Sequence, residues 1–197
     1  MHEQTLYQPI RLDCWQQIRA VTLTAIHVNT NSNEYHVHRL TRKNFGSDLA
    51  NRFENELLEL YGLPFTMHEC LVFQSRPFEN PSIHVDGNNE DRAGSNDVAL
   101  NVPILNCEGT EMIWYSGDYT VKVLPVEVNK KVSSLIPEWH SGPDQIYHKE
   151  ITSPALVRVN VPHCVINPQE KPRIMASFRF TPGLTFLDDR PGYPVRY

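Results

Sequence analysis

From residue 66 onward the apolar residues of this chain come in short runs, none long enough to read as a helix. "TMHECLVFQ", "DVALNVPIL", "TEMIWYS", "YTVKVLPVEV", "PALVRVNVPH" and "RIMASFRF" are rich in β-branched and aromatic residues. Most of them alternate, and each is bounded by Gly, Pro, Asn or Asp. Successive side chains of a strand point to opposite faces, so such runs build layered sheets. The 15 prolines add frequent turns, and 197 residues suffice for one well-buried core but not for two ordinary domains.

Helix signals are confined to the N-terminal third. In "SDLANRFENELLELYGLP" the residues Leu49, Phe53, Leu57 and Leu60 recur at helical spacing, Ser47 can cap the start, and Gly62 followed by Pro64 stops it. A shorter helix is expected around "DCWQQIRAVTLTA". Helices on one side of many short strands suggest a β-sandwich or barrel, mainly β in an α+β setting. The expected organisation is a single domain with helical support over 1–65, a β core over 66–180 and an irregular Gly- and Pro-rich tail over 181–197.

Charge and cysteine usage remove several function classes. The net charge is −5 and the basic residues are dispersed apart from "RLTRK" and "NKK", which argues against a nucleic-acid partner. No apolar run spans a bilayer, and the N-terminus lacks a basic start followed by an apolar stretch, so neither a membrane partner nor a secretory signal is expected. Cys14, Cys70, Cys107 and Cys164 show no paired spacing, which fits reduced thiols in the cytoplasm. A homodimer stays open.

The stretch "SIHVDGNNEDRAGSN" places His84 and Asp86 two residues apart, ahead of a long polar loop. Chance alone supplies about 0.4 such His-x-Asp triplets in a chain of this composition, so the pair needs a third ligand to mean anything. The second stretch is "VRVNVPHCVINPQEKPRIMASFRF". Its alternation predicts a strand ending at His163, a turn over Asn167, Pro168, Gln169 and Glu170, and a strand opening at Arg173. His163 and Arg173 are then expected opposite one another on paired antiparallel strands. His163 shares a face with Val157, Val159 and Val161, while Arg173 shares one with Met175, Ser177 and Arg179. A buried arginine needs an anion, either a protein carboxylate or a substrate carboxylate. Two histidines and one aspartate form the facial triad that holds non-haem Fe(II).

With His84-Val85-Asp86, then His163, then Arg173 ten residues on and Ser177 four beyond it, the sequence resembles the Fe(II)/2-oxoglutarate-dependent dioxygenases, specifically their prolyl-hydroxylase-like branch. "NVPILNCEGTEMIWY" resembles the strand pair that follows the His-x-Asp loop in small members of that family, and the resemblance covers roughly residues 66–180. It implies a double-stranded β-helix, or jelly-roll barrel, with the N-terminal helices packed on the larger sheet. It implies Fe(II) on His84, Asp86 and His163, and 2-oxoglutarate with its distal carboxylate on Arg173 and Ser177. Asn101 is a further candidate for the metal-proximal end of that cosubstrate, with core or edge structure as the alternative. The implied activity is hydroxylation or a related oxidation of a small molecule, an amino acid or a protein side chain, with succinate and CO2 as coproducts. The Arg-x-Ser pattern of some branches is absent, because Met175 stands two residues after Arg173, so Arg179 is an alternative carboxylate partner.

Other assignments compete. His148-Lys149-Glu150 with Arg158 has similar spacing, but His148 lies in a polar stretch and Arg158 faces away from the valines. His36 and His38 in "YHVHR" lack the flanking glycine and downstream glutamate of a cupin strand, and His27, His68 and His140 have no nameable partners. One of Trp114 and Tyr115 is expected in the core and the other in a pocket. Residues 129–150 suggest either a substrate-covering lid or a surface excursion. Beside the dioxygenase stand a cupin-like enzyme that uses metal without 2-oxoglutarate and a jelly-roll binding or structural protein.

Overall fold

In chain order the elements are β1 (Tyr7–Pro9), α1 (Trp15–Ile26), β2 (His36–Leu40), α2 (Arg42–Tyr61), β3 (Thr66–Ser75), β4 (Val85–Asp86), β5 (Val98–Leu105), β6 (Glu111–Ser116), β7 (Tyr119–Val123), β8 (Ser134–Trp139), β9 (Asp144–Glu150), β10 (Ala155–Arg158), β11 (His163–Ile166) and β12 (Arg173–Thr181). They come from a computed structural model that describes residues 5–26, 34–86, 97–123 and 134–188. His27, residues 87–96 where a polar loop is expected, residues 124–133 and the end of the expected tail, 189–197, lie outside the described residues.

The apolar spacing of α2 produces the expected helix, with Ala50, Phe53, Leu57 and Tyr61 on its buried face. Gly46, at φ 73° and ψ 158°, kinks the element, so the uninterrupted part begins at Ser47 and a first segment precedes it from Arg42. Gly62 ends it in the left-handed region at φ 71°, its N–H donating to Leu58 O at 2.7 Å. In α1, Ile18, Thr22 and Ile26 are buried at four-residue spacing.

Both helices cover one face of an antiparallel six-stranded sheet of order β1-β10-β5-β12-β3-β2. β12 runs through its middle, and its alternation decides the layers. Ile174, Ala176, Phe178 and Phe180 turn toward the helices, where Phe53 meets Phe178 edge-on at 5.1 Å and Phe180 at 5.4 Å. Met175 turns the other way, into a second core with Ala99, Val157, Met112 and Trp114. That second core lies between the large sheet and the three-stranded sheet β11-β6-β9, and a further three-stranded sheet has the order β4-β8-β7. The small sheets are joined by a bridge between His84 and His163, with reciprocal N–H···O bonds of 2.9 and 2.8 Å. The protein is therefore mainly β, with two helices and antiparallel sheets, and no closed barrel forms among the described residues.

Several expectations are corrected. The run "VRVNVPH" is not one strand: β10 ends at Arg158, and after a crossing segment β11 opens at His163 in the opposite layer. Pro162 has no N–H to offer a ladder, and Val159 is held by Asp97 O and Asp86 N–H rather than by a continuing strand pair. His163 accordingly pairs with Trp114 and Arg173 with Ser75, so the two are not cross-strand neighbours. "NVPIL" and "EMIWY" likewise fall in different sheets, β5 against β10 and β12, β6 against β11 and β9. The N-terminal third contributes edge strands β1 and β2 as well as helices. Residues 134–150 hold strands β8 and β9, so that part of the expected lid is sheet, and 129–133 lie outside the described residues.

Phe178 is fully buried at the junction of α2 and the large sheet. Phe178→Ala is expected to lower unfolding free energy by about 3–5 kcal/mol, read as a lower denaturant midpoint at unchanged slope.

Candidate metal centre

The bridge between β4 and β11 puts three ligand-bearing side chains at one point. His84 Nε2 lies 3.7 Å and His163 Nε2 3.9 Å from Asp86 Oδ1, and the ligand atoms all fall within 4.8 Å of one another. Among the described residues this is the one group of His, Cys, Asp or Glu placed to hold a metal ion. The rings are 4.4 Å apart at 52°. His163 Nδ1 faces Val161 O at 2.9 Å and His84 Nδ1 faces Ser82 O at 3.3 Å. A carbonyl only accepts, so as a metal ligand each ring would carry its proton on Nδ1 and turn Nε2 toward the centre. Burial, with His84 beside it, pushes the His163 imidazole down to about 4, so it is neutral at physiological pH as a ligand must be. Burial alone would raise the Asp86 carboxyl; His163, Arg179 and His84 outweigh it and hold the group below its ordinary value, ionised. Asp86 Oδ2 accepts a hydrogen bond from Arg179 Nη2 at 2.8 Å.

The other expected residues sit on β12 and β5, facing the same inter-sheet space. Arg173 is 4% exposed and has no hydrogen bond or ion pair among the described residues, its Nε being buried without a partner. Burial draws its pKa down, opposed by Cys107, Tyr35 and Glu79, and the guanidinium stays charged. Ser177 is buried, but its hydroxyl accepts from Arg179 Nη1 at 2.7 Å. Arg179 is thus engaged with Asp86 and Ser177. Asn101, opposite Ser177 on β5, is buried with Oδ1 unpartnered.

Residues outside every sequence motif also surround this space. Glu79 is buried, accepting from Arg76 N–H at 2.8 Å, and its main chain bridges Asn167. Tyr35, half-exposed, lies in the field of Glu79, Asp86 and Arg173; partial burial and then the two carboxylates raise its phenol while Arg173 opposes them. Neither residue belongs to a ligand-spaced motif, so only the folded chain brings them into view.

The rival set does not assemble. His148 is exposed beside Glu111 at 3.2 Å, Glu150 accepts from Gly109 N–H, and Arg158 donates to Thr5 O while stacking over Phe186. His36 and His38 lie on edge strand β2 with rings 6.1 Å apart, and His68 and His140 are exposed. Trp114 is fully buried, its indole N–H donating to Arg158 O at 2.8 Å, whereas Tyr115 lines a cleft of ≈ 680 Å³ with Tyr7, Tyr119 and Tyr147.

No protein-family model matches the chain. No curated protein matches it. Among solved structures, a prolyl-4-hydroxylase of Pseudomonas putida is similar at a TM-score of 0.48 and 12% identity, over 88% of this chain and 90% of that one. A likeness that distant assigns neither activity nor cofactor to this chain.

His163→Ala is expected to weaken binding of a divalent transition metal by more than the about 10- to 100-fold that loss of an outer-shell partner costs. Calorimetric titration of the metal-free proteins checks this, and unchanged affinity would remove His163 from the centre.

Proposed function

We propose that the chain is an Fe(II)- and 2-oxoglutarate-dependent oxygenase that hydroxylates or otherwise oxidises a small-molecule, amino-acid or protein side-chain substrate. The observation that carries this reading is Arg173: a buried, charged guanidinium with no partner among the described residues, on the strand that also carries Arg179, the partner of Asp86. A buried cation left alone is strongly destabilising, so a ligand carboxylate is what its place in the fold calls for. The donor set fits the metal too: two imidazoles and one carboxylate suit ferrous iron and leave coordination positions open.

In this reading His84, Asp86 and His163 hold the iron, which when bound supplies the dioxygen chemistry that the side chains lack. Arg173 grips the distal carboxylate of 2-oxoglutarate, two hydrogen bonds at a time. Asn101 is buried on β5 opposite Ser177, and only its amide N–H, not its unpartnered Oδ1, could donate to a carboxylate bound there. Met175 and Trp114, packed beside these groups, keep that side of the chamber dry. The large helix-backed sheet and the two joined small sheets are read as the two layers of a double-stranded β-helix. No helix of the described residues is long and apolar enough to cross a membrane, and all four cysteines are free, which favours a reducing, cytoplasmic setting.

Anaerobic titration of the Fe(II)-loaded protein with 2-oxoglutarate tests the reading. A weak visible metal-to-ligand charge-transfer band is expected in the wild type, and Arg173→Ala is expected to weaken cosubstrate binding by about 10-fold or more, the order of one lost charge-assisted hydrogen bond. Bound iron with no band would leave the cupin-like alternative standing in its place. Failure to bind iron would remove both.

A further inference from the structure

We propose that Arg179 is a positioning residue that makes Asp86 a one-oxygen metal ligand. This rests on the metal half of the reading above and not on its cosubstrate half.

A carboxylate can meet a metal through one oxygen or through both. In Asp86 the two oxygens have separate surroundings. Oδ1 faces the Nε2 atoms of His84 and His163 at 3.7 and 3.9 Å, whereas Oδ2 lies 2.8 Å from Arg179 Nη2. Arg179 cannot easily swing away from it. Its Nη1 donates to Ser177 Oγ at 2.7 Å and to Phe178 O at 3.3 Å, it is 6% exposed, and β12 is paired on both sides by β3 and β5. One arm of the guanidinium fork is thereby anchored to its own strand while the other reaches across to β4 in the opposite layer.

Two consequences follow for the centre. The direction of Oδ1 is fixed before any ion arrives, because rotating the carboxylate means breaking a buried ion pair. Oδ2 is kept from the ion, which leaves one more coordination position for other ligands than a two-oxygen aspartate would. Ser177 then acts as the brace of Arg179. A lysine at 179 would supply the charge but, with a single nitrogen on a flexible stem, would not span the carboxylate and the serine in a fixed plane.

Co(II), which is stable in air and coloured, probes this in the otherwise intact chain. Wild type, Arg179→Gln, Arg179→Lys and Ser177→Ala are titrated while the d–d absorption of bound cobalt is followed. Arg179→Gln is expected to raise the cobalt dissociation constant about 10- to 100-fold, the usual effect of removing an outer-shell partner. It is also expected to weaken the molar d–d absorption, as the freed Oδ2 adds a ligand. Arg179→Lys should restore part of the affinity but not the wild-type spectrum, and Ser177→Ala should shift both readouts in the direction of Arg179→Gln by a smaller amount. A purely structural ion pair would change melting temperature without altering the spectrum of the cobalt that binds. Should Arg179→Gln fail to fold, the other two variants carry the test, and wild-type affinity and spectrum in both would overturn the proposal. Cobalt bound by the wild type and weakened in the variants supports it whether or not 2-oxoglutarate then binds, which separates it from the cosubstrate reading. A wild type that binds no cobalt overturns this inference together with the metal centre.

Discussion

The burial of two guanidinium groups on one face of β12 is the constraint around which the rest of the site is arranged. The opposite face of that strand, Ile174, Ala176, Phe178 and Phe180, is held against the helices by aromatic packing. Period-two alternation then leaves Arg173, Ser177 and Arg179 no choice but the space between the sheets. Arg179 meets a protein carboxylate there, and Arg173 meets none among the described residues. Two arginines six residues apart on one strand thus differ in what meets them among the described residues, and the two proposals above rest on that difference.

Much of this was legible in the sequence because it depends on local periodicity. Arg173, Ser177 and Arg179 share a face by counting in twos, and His84 and Asp86 share one for the same reason. The helix after Ser47 and its stop at Gly62 follow from apolar spacing and from the backbone freedom of glycine at φ 71°. What alternation does not carry is the identity of the sheet. Val157, Val159 and Val161 continue in register toward His163, so a single strand running into a hairpin with Arg173 is the natural reading. The chain instead crosses layers between Arg158 and His163, and the histidine reaches the site by pairing with His84. The expected neighbours therefore lie in opposite layers, His163 on β11 and Arg173 on β12.

Long-range partners were the other illegible part. Ser177 stands four residues after Arg173, and the family resemblance implies that the two share a carboxylate; in the folded chain its hydroxyl accepts from Arg179. That choice depends on where Asp86 arrives, 93 residues away in sequence, and no local pattern encodes it. Glu79 and Tyr35 enter the electrostatics of Arg173 in the same way, through the path of the segment that leads from β3 to His84 and through the placement of edge strand β2.

Charge balance links the metal centre to the proposed cosubstrate more tightly than either motif does alone. With His163 neutral, the chamber holds the Asp86 carboxylate against the guanidinium groups of Arg179 and Arg173, and Glu79 lies within the field of the latter while bonded to Arg76. A divalent cation on the triad would add positive charge that the described residues of this wall do not offset. In a low-dielectric space such an excess favours an anionic ligand, and one with carboxylates at both ends meets the metal and Arg173 together. A monoanion reaching only the metal would leave Arg173 buried and alone, the arrangement that buried charges tolerate least. On the proposed reading a dianion would satisfy both charges where a simple acid would not, which is the physical argument for preferring 2-oxoglutarate use to metal binding by itself.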